Sequence, residues 1–203
     1  APVAHLRRLL RPQLDDLGGA RLDDPALGRG VLLLVFGLAK KTLIADPIGA
    51  MIAPAWADPG AMTAYDAWVA VLGYGVQLLA DFSAYGEIAI GLGLILGVRL
   101  PINFDAPYRA TSVSDFSRRW HITLGAFLRD YVYIPLGGSK HGLARCCLAL
   151  GLTMLLAGLW HGAGWTFVLW GALHGGAMII ERLGRAGGLR LPTALPHGLT
   201  LGF

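Results

Sequence analysis

Charge is what this 203-residue chain has least of: 15% of residues are Asp, Glu, Lys or Arg, against about 25% in soluble domains. Between positions 146 and 180 the sequence CCLALGLTMLLAGLWHGAGWTFVLWGALHGGAMII contains none of the four. Cysteine is nearly absent. The two present, Cys146 and Cys147, are neighbours and cannot form an ordinary structural bridge, so a disulfide framework and a Cys-type zinc site are both excluded. No HExxH spacing suits a zinc centre. No GxSxG elbow or phosphate loop occurs, and no acid pair has the placement of a glycosidase. Internal repeats and low-complexity tracts are missing too.

What is abundant is apolar surface and glycine. Hydrophobic residues make up 55% of the chain and the mean hydropathy is +0.56. The 29 glycines are about twice the usual share, a bias of transmembrane helices. So little charge could not cover a water-soluble surface, and the composition indicates an integral membrane protein. The formal charge of +4 and the pI near 9.3 are explained by basic loops between membrane spans rather than by nucleic acid. The chain opens at Ala1 without a signal-peptide pattern and closes on LTLGF, which suggests an internal piece of a longer polytopic protein.

The charge-free stretch is too long for one crossing. As a straight helix it would extend roughly 52 Å at 1.5 Å per residue, and a bilayer core is about 30 Å thick. The natural break is Trp160-His161-Gly162-Ala163-Gly164-Trp165, where glycine frees the backbone. Elsewhere, Gly30 to Ile44 reads as a short span whose Lys40 and Lys41 must snorkel or face protein. Residues 46 to 67 hold Asp46, Asp58 and Asp66 but no Lys or Arg, placing them outside under the positive-inside rule. Trp68 to Val98 is a second long apolar stretch, one tilted span or a broken one, interrupted by Asp81 and Glu87.

Arg99, Arg109, Arg118 and Arg119 mark an inside loop, as do Lys140 and Arg145, Arg182, Arg185 and Arg190, and Arg7, Arg8, Arg11, Arg21 and Arg29 near the start. Residues 120 to 138 carry Trp120, Leu124, Phe127, Leu128, Tyr131 and Ile134 at helical spacing. Arg129 and Asp130 interrupt them, and Pro135, Gly137 and Gly138 end the helix. This segment reads as interfacial or re-entrant, and re-entry requires surrounding protein. The expected fold is all-α: a polytopic bundle of four main spans plus this amphipathic element, forming one partial transmembrane domain over residues 1–203.

Three histidines could carry chemistry. His161 sits at the glycine break, His121 follows Trp120, and His174 lies inside the last apolar segment, 13 residues beyond His161. Imidazole takes and returns a proton near neutral pH, and ionisable groups inside a membrane are functional candidates by default. Each also has a plain use as a packing or capping residue, most of all His174. Asp81 and Asp130 are expected to pair with arginines. Arg118, Arg119, Trp120, Arg129, Tyr131 and Tyr133 could hold a phosphate-bearing donor or lipid head groups, or serve as interfacial anchors.

Taken in order, DFSAYGEIAIGLGLILGVRLPINFDAPYRATSVSDFSRRWHITLGAFLRDYVYIPLGG and then GLWHGAGWTFVLWGALHG resemble the membrane-bound O-acyltransferase family, in the bacterial branch typified by alginate O-acetylase. The D-alanyl lipoteichoic acid transfer protein is a relative. The resemblance runs from the GLAKK of Gly37–Lys41 to Glu181 and Arg182, and the ordered combination RRWH, LRDYxYIPLGG and GLWHG is specific. It differs in Ala1-Pro2-Val3, in Phe127 where Trp is common and in Glu87 where Asp is common.

The resemblance implies a catalytic role for His161 and a second functional role for His121; beside it, Trp160, Arg119, Asp130 and Tyr131 are the expected supporting residues, and no metal is expected. It implies a channel-like core in the bacterial cytoplasmic (inner) membrane, crossed several times. An acyl group, acetyl by preference, would pass from a cytoplasmic donor to hydroxyls of an extracytoplasmic polysaccharide such as alginate, or to an intermediate periplasmic partner protein. The donor, acetyl-CoA or an acyl carrier, is a substrate, and no separate cofactor is implied. Membrane lipids are the remaining partners, and nucleic acid is not among them. Two other uses of the same residues are a non-catalytic membrane conduit and a scaffold of a polysaccharide-modification complex.

Overall fold

The computed structural model describes residues 25–188. Arg7, Arg8, Arg11, Arg21 and Arg190 lie outside the described residues. All regular structure among the described residues is helical, in two compact units that divide after Ile102. Two helices, Ala64–Ile95 and Gly142–His161, are long and apolar enough to cross a membrane by length and composition.

In the first unit, α1 (Pro25–Lys40) continues through one wider π-helical turn (Lys41–Ala45) into α2 (Asp46–Ala57). The acidic stretch from residue 46 is thus helical for its first twelve residues. Pro47 sits in the first turn, where its missing N–H costs nothing. The long apolar stretch is one unbroken helix, α3 (Ala64–Ile95), beginning four residues earlier than its hydrophobicity suggests. The start is set by a capping box: Thr63 Oγ1 accepts the Asp66 N–H at 3.2 Å, and Asp66 Oδ2 accepts the Thr63 N–H at 3.0 Å.

Small residues let α1 lie backbone-to-backbone on α3. A Cβ on Gly30 would stand 2.8 Å from the Gly91 carbonyl, and one on Gly37 would stand 2.9 Å from the Ala84 carbonyl. Membrane helices associate by this kind of close packing. The two lysines face carboxylates on neighbouring turns. Lys40 Nζ lies 2.5 Å from Glu87 and 3.2 Å from Ser83 Oγ, while Lys41 Nζ bridges Asp46 at 2.7 Å and Asp81 at 2.8 Å. Asp81 therefore pairs with a lysine of its own unit, not with the arginine expected of it.

In the second unit a loop leads into α4 (Val113–Arg119) and α5 (Ile122–Leu128), followed by a π-helical turn (Arg129–Tyr133). The helix expected over 120–138 starts at Ile122, just after His121, whose φ of 47° is left-handed, and runs on through the π-helical turn before Gly137 (φ 112°) and Gly138 (φ 52°). The charge-free stretch folds as a hairpin of α6 (Gly142–His161) and α7 (Trp165–Ala186), broken at Gly162–Gly164. Its two helices meet through glycine: a Cβ on Gly158 would collide with the Phe167 carbonyl, and one on Gly171 with the Met154 carbonyl.

α4 is tied down at both ends. Ser112 Oγ accepts the Asp115 N–H at 3.0 Å as an N-cap, and Glu181 of α7 (4% exposed) accepts the Ser114 N–H at 2.9 Å while pairing with Arg185. A carboxylate at a helix N-terminus satisfies an orphan donor and complements the dipole. At the other end Trp120 stacks on Phe116 with ring centroids 5.6 Å apart and meets Phe104 edge-on at 5.2 Å. The clamped α4 delivers His121 to the turn end of the hairpin, beside Trp160.

Candidate active site

One cavity of about 410 Å³ lies wholly within the second unit. Four positions of α7 at four-residue spacing line it: Trp170, His174, Met178 and Arg182. From α6 come Leu150, Thr153, Met154, Ala157 and His161, again one helical face. Trp120 and His121 close it from the α4–α5 junction, and Arg118, Arg129 and Tyr133 contribute polar groups. Along α7, Trp170 and Arg182 are separated by about 18 Å, so the cavity is an elongated slot. Imidazoles stand at one end, and Arg182 and Tyr133 stand toward the other.

The imidazole end is a ring cluster. Trp160 lies edge-on to His121 at 6.0 Å and to His161 at 5.1 Å, and His161 meets Trp170 edge-on at 5.2 Å. His161 is the last residue of α6, exposed at the helix end where Gly162 turns the chain. It abuts the cavity and is not sealed in packed side chains. The hairpin therefore brings together the two histidines and the tryptophan singled out from sequence.

The other three supporting candidates go elsewhere. Arg119 pairs with Asp115 at 3.1 Å and Asp105 at 3.5 Å. Asp130 pairs with its neighbour Arg129 at 2.7 Å, and Tyr131 is exposed and packs on Phe127 at 4.9 Å. None of the three lines the cavity. Arg119 still contributes indirectly by holding α4 together. Burial pushes the Asp115 carboxyl up, but the Thr111 N–H and the Arg119 and Arg118 guanidiniums outweigh it and hold the pKa below the usual value.

The residue that holds His121 is Asn103. Its Oδ1 accepts the Thr123 N–H at 3.1 Å and the Thr123 hydroxyl at 3.0 Å, and it lies 3.1 Å from His121 Nδ1. The Thr123 backbone donor requires oxygen at that position, so the third partner must be an N–H. His121 is thereby held with the proton on Nδ1, which makes Nε2 the lone-pair nitrogen. The Ile122 N–H adds a bond to the Asn103 carbonyl at 2.9 Å, and this clamp sustains the left-handed backbone. Left-handed non-glycine residues carry strain that surrounding structure must hold, and they cluster at functional sites. Asn103 sits in an irregular loop 18 residues before its partner, and no spacing rule marks it.

Asn103→Ala is expected to lower any His121-dependent turnover about fivefold, because a single oriented hydrogen bond is worth on the order of 1 kcal/mol. Steady-state rates at equal membrane content check it. Burial, reinforced by the neighbouring His161, lowers the His121 pKa from 6.5. The neutral, proton-accepting form thus persists to lower pH than in free histidine. The acid limb of activity set by His121 is expected below pH 6.5, as a pH–rate profile reads directly.

A neutral imidazole with a lone pair beside a second imidazole, facing a mostly apolar slot, can accept a proton from a hydroxyl and exclude water from an activated ester. The sequence profile of the MBOAT, membrane-bound O-acyltransferase family matches residues 8–187. The chain belongs to this family. It is 41% identical over 181 residues to a peptidoglycan O-acetyltransferase of Helicobacter pylori, covering 89% of this chain and 34% of that protein. It is 49% identical over 148 residues to a probable alginate O-acetylase AlgI of Azotobacter vinelandii, covering 72% of this chain and 29% of that protein. A teichoic acid D-alanyltransferase of Streptococcus thermophilus is 28% identical over 167 residues, covering 76% of this chain and 40% of that protein. The chain thus spans about a third of the length of these relatives. In this chain the rings of His121 and His161 both meet Trp160, and Asn103 lies behind His121.

Proposed function

We propose that the protein is an O-acyltransferase of the bacterial cytoplasmic membrane, crossing it several times, and that it moves an acetyl group from a thioester donor to hydroxyls of an extracytoplasmic polysaccharide or to a periplasmic partner protein. The observation that carries this reading is the shared cavity: His121 and His161 line one slot whose far end is cationic. Lys140, Arg145, Arg182 and Arg185 cluster at the open ends of the hairpin while its turn is uncharged, and the positive-inside rule puts that turn outside. A donor such as acetyl-CoA or an acyl carrier would enter from the cytoplasm. Its phosphate would rest near Arg182 and Tyr133, and its thioester would reach His161 about 18 Å away.

His161 takes the proton of the attacking hydroxyl as the new O–C bond forms. The C–S bond then breaks, and the proton passes to the leaving thiolate, so the imidazole ends neutral. His121, with its lone-pair nitrogen, orients the acceptor or donor across the slot. The apolar walls keep water from the acyl group.

The test uses the complete gene product in proteoliposomes with labelled acetyl thioester. Label is expected to accumulate on an added polysaccharide acceptor, and to stay in the donor with the His161→Ala protein at equal membrane content. Equal transfer by both proteins would remove the proposal.

A further inference from the structure

The segment that carries His121 is braced from within. Ser112 caps α4, Asp115 accepts the Thr111 N–H and pairs with Arg118 and Arg119, and Asn103 holds His121 and Thr123. Such bracing keeps the segment's shape but does not place it on the hairpin. Its seat is α7. Phe116 packs on His174 with ring centroids 6.2 Å apart, and the Ser117 hydroxyl faces the Met178 sulfur at 3.6 Å. The Ser114 N–H donates to Glu181 Oε2 at 2.9 Å.

These contacts differ in what they can fix. Ring packing and a thioether contact are adaptable and tolerate a small slide. A hydrogen bond to a carboxylate is short and directional, so it does not. Glu181 is 4% exposed and is also held by Arg185, one helical turn on. Buried ionic groups add little net stability, and their best-attested use is to specify a register. His121 follows Ser114 by seven residues, about 10 Å along a helix. A slip of α4 by one residue would shift it by about 1.5 Å and turn it by roughly 100°, which takes His121 off Trp160.

We infer that Glu181 is a positioning residue for acyl transfer: its bond to the Ser114 N–H fixes the register of α4 on α7, and with it the place of the His121 ring beside Trp160 and His161. The inference rests on the transfer reading above. Glu181 touches no reacting atom and acts through α4.

The experiment measures kcat and KM for labelled acetyl transfer by the complete protein in proteoliposomes. Glu181→Leu fills the space without an acceptor. It is expected to lower kcat between about tenfold and a hundredfold, the effect of roughly 1 Å of misplacement, with KM little changed. Glu181→Gln keeps an oxygen for the Ser114 N–H and should retain most of the rate. The acid limb set by His121 is a second readout. A ring that leaves its half-buried place beside His161 returns toward the ordinary pKa of 6.5, so the limb should move up in the leucine variant and stay put in the glutamine one. Ser114→Pro removes the N–H itself in the first turn of α4, where proline is tolerated, and leaves the Glu181–Arg185 pair in place. It should reproduce the slow rate and the raised limb even if Glu181→Leu fails to reach the membrane. Rates that fall only in proportion to folded protein, with the acid limb unmoved, would overturn the assignment, as would a glutamine variant as slow as the leucine one. Absence of transfer by the unsubstituted protein would instead overturn the acyl-transfer reading beneath it.

Discussion

Alanine at His161 is expected to reduce acyl transfer by about two to four orders of magnitude, the range typical of a positioned general base, with little change in membrane content. The position explains both halves of that expectation. His161 ends α6 at the glycine break, touches Trp160 and Trp170 with its ring edges and opens on the slot. Its ring is exposed although it meets Phe167 and Trp170 of α7, and the glycine contacts along the hairpin remain without it, so its loss leaves the hairpin standing while removing the proton acceptor. Glutamine in its place fills the volume without the basic nitrogen and should be nearly as inactive. Rates per unit of membrane-inserted protein, compared for alanine and glutamine, separate chemistry from folding.

The second large effect is structural. Gly158→Val is expected to prevent the α6–α7 hairpin from closing, because the new side chain would be driven into the backbone carbonyl of Phe167 and within 3.3 Å of Gly171 Cα. A carbonyl cannot swing aside as a flexible side chain can. The cost therefore exceeds the roughly 1–3 kcal/mol of ordinary overpacking. Separating the helices also pulls His161 away from Trp170, so the variant should lose stability and activity together. Thermal unfolding in detergent, with Gly176→Ala as the control, reads the difference. Nothing stands within 4 Å of a Cβ at Gly176, and its substitution should be silent.

How much of this was visible beforehand differs from residue to residue. The hairpin break was legible because a 35-residue charge-free run is longer than a membrane and contains one glycine-rich interruption. His161 and Trp160 were legible for the same reason. His121 was found by its neighbours in RRWH, but its left-handed backbone was not, since helical periodicity continues through it and only tertiary clamping by Asn103 breaks the helix. Arg119 and Asp130, expected beside His121, line no part of the slot. In space Arg119 pairs with Asp115 and Asp105, and Asp130 with Arg129, and the support comes from a loop 18 residues away.

Long-range pairings stayed hidden for one physical reason. Nothing in a local pattern shows that Glu181 reaches the N-terminus of α4 across 67 residues. Nor does it show that two adjacent lysines both find carboxylates on their own unit. Such partners are chosen by which faces pack, and glycine contacts determine that packing.

The central claim is that His121 and His161 work on one reacting group in one slot, and the double replacement His121→Ala/His161→Ala tests it most directly. Residues that serve a single transfer fail together: once the base is lost, the orienting imidazole has little left to contribute. Measured as acetyl transfer from labelled thioester in proteoliposomes, the double variant is expected to be about as slow as His161→Ala alone. Losses that multiply, with the double variant slower by the full product of the two single effects, would show two independent contributions and contradict the shared centre.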